Sequence, residues 1–150
     1  MARWGTKLSK DATSVKSVGL VTAAAANMRR AKLYDVSFGS SATPGDNAFL
    51  WQIQRCTTAG TGTTTTPNSL DPADTLASTI VTTGTVTVDP TLTANAFLYQ
   101  CPLNQRASFR WVAAPYGELI VPATASNGLA IIASAATTTV LDCGINYEEY

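Results

Sequence analysis

Apolar and polar residues alternate along short stretches of the chain, and in two of these stretches the apolar positions are aromatic. Phe49, Trp51 and Ile53 share one face of the first stretch. Phe109 and Trp111 share one face of the second. A period of two with aromatic residues is typical of a β-strand that buries one face. We therefore expect these two strands to form opposing walls of one β core.

Glycine, proline and asparagine separate similar stretches along the whole chain, and long helical periodicities are missing. Threonine, which is abundant, is β-branched and suits a half-exposed pleated strand. The predicted strands cover residues 17–23, 31–38, 49–56, 79–88, 96–101, 107–112, 118–121, 129–133 and 138–147. Apart from the short range 118–121 these are eight strands, and about eight strands predict an all-β fold, a jelly-roll-like antiparallel β-sandwich.

Residues 70–74 carry the clearest helix-start signal in the sequence. Asp71 can cap a helix, Pro72 suits the first helical position, and Asp74 favours a helix N-terminus. We therefore predict one short helix near residues 72–78, set between the strands of the sandwich.

A chain of 150 residues is long enough to form one domain with its own core. Residues 1–16 are polar and mixed in charge, and Trp4 is their lone aromatic residue. We interpret residues 1–16 as an N-terminal arm and residues 17–150 as a single β-sandwich domain. The arm is either a frayed terminus or a segment that orders on a partner, with Trp4 as its anchor.

Charged residues make up 13% of the chain, and ten basic residues balance ten acidic ones. This balance leaves no net field to attract nucleic acid or an acidic membrane surface, so we expect neither as a partner. The charged fraction is about half of the usual ~25%, which favours a surface that a partner partly covers. The alternative is a soluble β monomer with a threonine-coated surface.

The chain contains no histidine, so Ser-His-Asp and Cys-His catalytic arrangements are excluded. Two carboxylate pairs remain as candidates for acid-base chemistry. Helix capping explains Asp71 and Asp74, and we interpret Glu148 and Glu149 as a solvated acidic end. The three cysteines cannot all pair and none has a metal-like spacing, so we expect assembly in a reducing cytoplasm. We therefore predict that the protein is not an enzyme and has no catalytic, cofactor-binding or metal-binding residue.

Five segments carry a family pattern: residues 30–40 (RAKLYDVSFGS), 51–55 (WQIQR), 70–74 (LDPAD), 104–111 (NQRASFRW) and 122–128 (PATASNG). Across roughly residues 29–130 this pattern resembles small virion proteins of tailed bacteriophages, among them capsid decoration, or cement, proteins with jelly-roll folds. The resemblance implies a homotrimer that clamps the exterior of an icosahedral head after assembly in the host cytoplasm. The implied partners are the major capsid protein and further copies of this chain. None of the segments has a catalytic meaning, so no functional residue is carried over.

Under this resemblance, the two ends of the chain are the natural contacts between neighbouring copies. Arg29, Arg30 and Lys32 form a basic cluster, which is either a weak nucleic-acid contact or an interface-pairing strand face. Tyr116 lies in a Pro-Tyr-Gly turn and is expected to be exposed. The predicted partner-binding residues are Trp4, Arg29, Arg30, Tyr116, Tyr147 and Tyr150.

A second function is compatible with the same sequence. In this alternative the protein is a β-sandwich module of a phage tail or fibre that binds a glycan on the host surface. Tyr116 and the threonine-rich segment 58–67 would form the sugar-binding surface.

Overall fold

The computed structural model describes residues 1–10, 17–133 and 139–150, and these residues form an all-β sandwich. Two antiparallel sheets face each other across one main core. In chain order the strands are β1 (Arg3–Lys10), β2 (Ser17–Ala23), β3 (Ala31–Ser40), β4 (Ala48–Cys56), β5 (Thr61–Thr65), β6 (Asn68–Ser69), β7 (Thr79–Val88), β8 (Leu92–Asn104), β9 (Phe109–Val112), β10 (Leu119–Val121), β11 (Gly128–Ala133) and β12 (Leu141–Glu149).

The strand order is that of a jelly roll with one insertion. The first sheet runs β10-β3-β12-β1-β6, and β9 also pairs with β3, so β9 and β10 act as two halves of one strand. The second sheet runs β5-β7-β2-β11-β4-β8. Without the insertion β5–β7, the two four-stranded sheets have the order expected of a jelly roll. The predicted fold class is therefore confirmed.

The two sheets are held together by a core that aromatic side chains dominate. The Trp51 ring on β4 lies 5.0 Å from the Phe38 ring on β3 and 5.4 Å from the Phe49 ring. Trp111 on β9 is only half-buried and packs against the rim of this core. The two aromatic strands thus lie in opposite sheets, as predicted, but they contribute very different amounts to the interior.

Both faces of β2 and β11 are covered, and every residue of these two strands is buried. The inner face belongs to the main core, and the outer face carries a second, smaller core. Mostly apolar strands of this kind are expected where neither face meets water, and the polar side chains of Ser17 and Thr22 on β2 are buried as well. The second core consists of Leu20, Cys56, Ala130 and Ile132, with Ala59 and Leu92 packed against it.

The predicted helix near residues 72–78 is wrong, because the structure has a tight turn there. The Asp71 carboxylate accepts a hydrogen bond from the Ala73 N–H at 3.0 Å, and the Asp74 N–H donates to the Asp71 carbonyl at 2.9 Å. The capping residue therefore closes an Asx turn. A helix of this length is marginal unless one of its faces packs against the core. Leu76, the large apolar residue in the segment, is 79% exposed and does not supply that packing.

The predicted arm over residues 1–16 needs correction for residues 3–10. These residues form β1, which pairs with β12 at eight consecutive positions and with β6 on its other side. Trp4 and Leu8 alternate with more exposed neighbours and point into the core, which makes β1 an integral strand of the first sheet. Residues 11–16 of the predicted arm, and residue 138 of the last predicted strand, lie outside the described residues.

Candidate interaction surfaces

Five of the six predicted partner-binding residues gather at one end of the sandwich, where β1 begins and β12 ends. A groove of about 590 Å³ opens at this end. We call it the end groove, and it is lined by Met1, Ala2, Trp4, Asn27, Arg29, Thr75, Leu76, Ser78, Glu149 and Tyr150. Arg30 and Tyr147 lie beside the groove. The Arg30 carbonyl accepts a hydrogen bond from the N–H of Tyr150, a lining residue. The Tyr147 hydroxyl lies next to Thr79, which follows the lining residue Ser78.

The Trp4 ring lines the floor of the end groove, and the Tyr147 ring stacks on it. Trp4 and Tyr147 are opposite each other in the β1–β12 register, and their rings stack at 5.9 Å with an angle of 27°. Trp4 is 3% exposed and Tyr147 is 1% exposed. The Trp4 indole N–H donates to the Thr75 carbonyl at 3.3 Å. Both residues therefore belong to the core, and their predicted contact with a partner stays a prediction.

The Glu149 carboxylate ties one wall of the groove to β12. Its Oε1 accepts hydrogen bonds from the Thr79 N–H at 2.7 Å and the Thr79 hydroxyl at 2.8 Å, and its Oε2 accepts from the Ser78 N–H at 3.0 Å. The Thr79 hydroxyl also lies 2.8 Å from the Tyr147 hydroxyl. Since Thr79 has one hydroxyl proton and gives it to the carboxylate, the Tyr147 hydroxyl donates to Thr79. Burial raises the pKa of Tyr147 well above its usual range, so the phenol stays a donor.

This geometry corrects the interpretation of the acidic end of the chain. Glu149 is 4% exposed and is satisfied by hydrogen bonds, so it is not a solvated carboxylate. Glu148 points to the other face of β12 and lies 3.7 Å from the Lys32 ammonium. The alternation of β12 is the signal that sequence reasoning missed, since Glu149 continues the inward positions of Leu141, Cys143, Ile145 and Tyr147.

The rim of the end groove is basic and apolar. The side chains of Arg29 and Arg30 are exposed and form no ion pair within the described part of the chain. Lys32, the third member of the predicted basic cluster, is paired with Glu148 and lies 4.8 Å from the centre of the Tyr150 ring. The exposed apolar residues at this end are Met1, Met28 and Leu76. An apolar groove with unpaired cations at its mouth has the composition of a protein interaction surface.

Tyr116 lies away from the end groove, at the tip of the connection between β9 and β10. The Gly117 N–H donates to the Ala114 carbonyl at 2.8 Å, which closes a four-residue turn with Pro115 and Tyr116 at its centre. Tyr116 has a φ of 64°, so this is a type II turn with an aromatic residue at the position that normally requires glycine. We call residues 114–117 the Tyr116 turn. The side chain of Tyr116 is 99% exposed, as predicted, and the strained backbone holds it in solvent.

The structure separates Tyr116 from the threonine-rich segment. β9 lies above β8, because the Tyr99 ring on β8 is 6.4 Å from the Phe109 ring and 5.8 Å from the Trp111 ring. The threonine-rich strand β5 forms the opposite edge of the sheet that contains β8. The two features therefore do not build one sugar-binding surface.

The remaining candidate carboxylates have structural partners. Asp71 closes the turn described above, and the Asp74 carboxylate lies 3.4 Å from the Arg3 N–H. Within residues 1–10, 17–133 and 139–150, no group of three or more acidic or cysteine side chains is placed to hold a metal ion. In the same part of the chain no helix is long and apolar enough to cross a membrane.

One polar network on the first sheet carried no signal in the sequence. The Arg110 guanidinium on β9 donates two hydrogen bonds to the Asp35 carboxylate on β3, at 2.9 and 2.6 Å. The Asn146 amide on β12 donates to the same carboxylate at 3.2 Å. These hydrogen bonds hold the pKa of Asp35 below its usual range, with the Arg110 hydrogen bond as the main cause. The network fastens β9 to the sheet and so supports the start of the Tyr116 turn.

Comparisons with known proteins do not add a relative to this description. A scan with protein-family models gave no match, and neither did searches of curated proteins and of solved structures.

Proposed function

We propose that this protein is a structural virion protein that binds the outer surface of an icosahedral phage head. It stabilises the shell by bridging neighbouring major capsid subunits, and it does so as a homo-oligomer, most simply a trimer. It lies on the exterior of the capsid and assembles in the host cytoplasm. The sequence segments that resemble phage decoration proteins and the jelly-roll strand order both support this proposal.

Jelly rolls serve in viral capsids and also in lectins, so the fold alone does not choose between the two functions. The observation that carries the proposal is the end groove. Its wall is held rigid by the Glu149 hydrogen bonds, its mouth exposes Leu76 and Met1, and two arginines beside it lack partners. Such a surface is suited to another protein chain, because apolar area and unpaired cations are both left to be buried.

A bridging role requires binding surfaces and no reaction. Repeated copies around a symmetric shell attach at several points, and weak individual contacts then add up to firm attachment. The low charge of the chain reduces repulsion between neighbouring copies.

The second candidate function is a tail or fibre module that binds a host surface glycan. The exposed ring of Tyr116 favours it, because a free aromatic ring offers a flat apolar face. It has less support than the first, because the threonine-rich segment lies at the opposite edge of the sandwich. Specific retention of the protein on an array of bacterial glycans would favour this candidate.

Purified particles provide the test of the decoration function. We expect the chain to be present in tailed-phage heads at a fixed ratio to the major shell protein. Heads that lack it should release their genome at a lower temperature, and purified protein added back should bind them and restore the higher value. Absence from purified heads, or failure of the added protein to bind them, would contradict the proposal.

A further inference from the structure

We propose that the Tyr116 turn of one copy inserts into the end groove of a second copy of this chain. The contact is head-to-tail, because it joins two different surfaces of the same molecule. It specifies the self-association on which the proposed function rests, and it is measured on the purified protein alone.

The Tyr116 turn has the properties of an insertion element. The Tyr116 ring is 99% exposed and is preceded by the exposed Pro115. Its backbone occupies a region that bulky residues avoid, so the turn is strained. The hydrogen bond between Gly117 and Ala114 maintains this strained turn, and among residues 1–10, 17–133 and 139–150 the Tyr116 ring is left almost entirely free of contacts. Tyrosine is also among the residues that contribute most to binding at protein interfaces.

The end groove has the complementary properties. Its volume of about 590 Å³ accommodates an aromatic side chain together with the proline beside it. Leu76 and Met1 offer apolar contact at its mouth, and the buried Trp4 forms its floor. The hydrogen bonds of Glu149 leave that carboxylate satisfied, so it does not need a partner from the incoming turn.

The unpaired charges beside the two surfaces have opposite signs. Arg29 and Arg30 are unpaired at the groove, and Glu118, the residue that follows the Tyr116 turn, forms no ion pair within the described ranges. No cationic residue lies between residues 113 and 118. When Tyr116 enters a groove, Glu118 therefore approaches the two arginines, which favours this register over others.

The topology explains why the contact forms between copies. The end groove is built from β1, β12 and the loops beside them, whereas the turn projects from β9 and β10 on the other flank of β3. The ring of Tyr116 is exposed to solvent in its own subunit, so it does not occupy the end groove of that subunit. A contact between two different surfaces can repeat from copy to copy, and it closes into a ring when the rotation permits.

Sedimentation velocity and native mass spectrometry of the purified protein test the contact. Wild-type protein should form a closed oligomer, and Tyr116→Ala should weaken association by at least about 30-fold, which is the cost of losing one dominant interface residue. Phe97→Ala is the matched control, because Phe97 is an exposed aromatic residue on β8 that neither surface contains. It should associate like the wild type.

Charge reversal tests the register. Glu118→Arg alone, or Arg29→Glu with Arg30→Glu, should weaken association about fivefold or more, as expected for ion pairs at the rim of an interface. The triple variant should recover most of the loss, because the opposite charges face each other again. Arg106→Glu is the control, since Arg106 is exposed at the other end of the sandwich.

A mixing experiment tests the head-to-tail arrangement. Tyr116→Ala retains an intact groove, and Leu76→Asp retains an intact turn. Each should be monomeric alone, and an equimolar mixture should form a dimer that does not grow further. Both positions are exposed, so both variants should keep the melting temperature of the folded subunit.

Several outcomes would overturn the proposal: a wild-type protein that is monomeric at every concentration, an oligomer that Tyr116→Ala leaves intact, or a triple charge variant without recovery. These results are independent of the particle experiment. An oligomer that fails to bind heads would support the contact and contradict the proposed function. A monomer that binds heads would contradict the contact and support binding to the shell.

Discussion

The strands β4 and β9 have the same aromatic alternation in sequence, but they meet different environments in the fold. β4 lies between β11 and β8, and Trp51 at its centre is fully buried. Among the strands that the structure describes, β9 pairs only with β3, at the edge of the other sheet, and Phe109 is 38% exposed. Alternation therefore specifies which side of a strand faces the core, whereas the neighbours of the strand decide how deep its side chains lie.

The same contrast separates the stable part of the molecule from the part that is available for contact. Around β4 apolar burial holds the structure together. Around β9 the hydrogen bonds between Arg110 and Asp35 hold the strand to the sheet. The strained Tyr116 turn begins two residues after the end of β9. Strain and exposure are tolerated at this edge because the interior strands supply the stability.

The largest effect should come from replacing the two tryptophans. Trp51→Ala should lower the free energy of unfolding by about 3–5 kcal/mol, because a fully buried aromatic ring leaves a cavity. Trp111→Ala should cost about 1–2 kcal/mol, since its ring is only half-buried. The double variant should retain little stability or be unfolded. Urea denaturation measures all three, and equal losses for the two single variants would contradict the contrast between interior and edge.

A glycine pair tests how closely the interior strand β11 is packed, without removing any side chain. A Cβ at Gly128, on the interior strand β11, would overlap the Val21 carbonyl oxygen. Gly128→Ala should therefore cost about 1–3 kcal/mol, the usual penalty for overpacking. Gly39→Ala, whose Cβ would lie 3.7 Å from the Ser108 Cβ, should be close to neutral in the same denaturation assay. A neutral Gly128→Ala would show that β11 can move away from β2.

The polar attachment of β9 should depend on pH. The folded-state pKa of Asp35 lies below its value in the unfolded chain, so its contribution to stability is present above the unfolded pKa of about 3.9. The contribution is lost as the pH falls through the folded value. Asp35→Asn should therefore destabilise the protein at neutral pH by less than Trp111→Ala, and the difference from the wild type should shrink below about pH 4.

The measurement for Asp35 is the free energy of unfolding as a function of pH for both proteins. Asp46→Asn serves as the control, because the Asp46–Arg106 pair has a separation of 3.8 Å and lies mostly in solvent. Pairs of that kind contribute little. A difference between wild type and Asp35→Asn that persists unchanged to pH 2 would contradict the assignment.

The smallest effect should be a gain in stability. Tyr116→Gly removes the strain of an aromatic residue at positive φ, so the free energy of unfolding should stay unchanged or rise by up to about 1 kcal/mol, even though association is lost. Ala114→Gly in the same turn should instead cost about 0.5–1 kcal/mol, because it adds only flexibility to the unfolded chain. Thermal melting of dilute, monomeric samples separates the two. A destabilised Tyr116→Gly would mean that the turn is not strained.

Local patterns predicted much of the fold, and they were wrong where long-range partners decide. Residues 70–74 carry helix-start chemistry, but Asp71 closes a turn instead. A few residues later the Ser78 and Thr79 N–H groups bind Glu149, a partner at the far end of the chain. The polar neighbours of Trp4 predict an arm. The burial of Trp4 depends on β12, which lies at the other end of the chain.

The candidate surfaces follow the same division. The exposure of Tyr116 could be read from its Pro-Tyr-Gly context, because a turn between two strands lies at the surface. The end groove could not, because it combines the start of β1, the end of β12 and two loops that are distant in sequence. Leu76 offered only a weak signal as an isolated large apolar residue in a polar segment.

The amino-acid sequence by itself determined the strand character, the alternation of faces and the positions of the turns, because these depend on backbone sterics and on residues next to each other. The tertiary structure alone decided that β4 is interior and β9 an edge, that Trp4 and Glu149 are buried, and that a groove opens beside two unpaired arginines. Those outcomes depend on which strands become neighbours, and strand pairing is a competition among distant segments that no local pattern resolves.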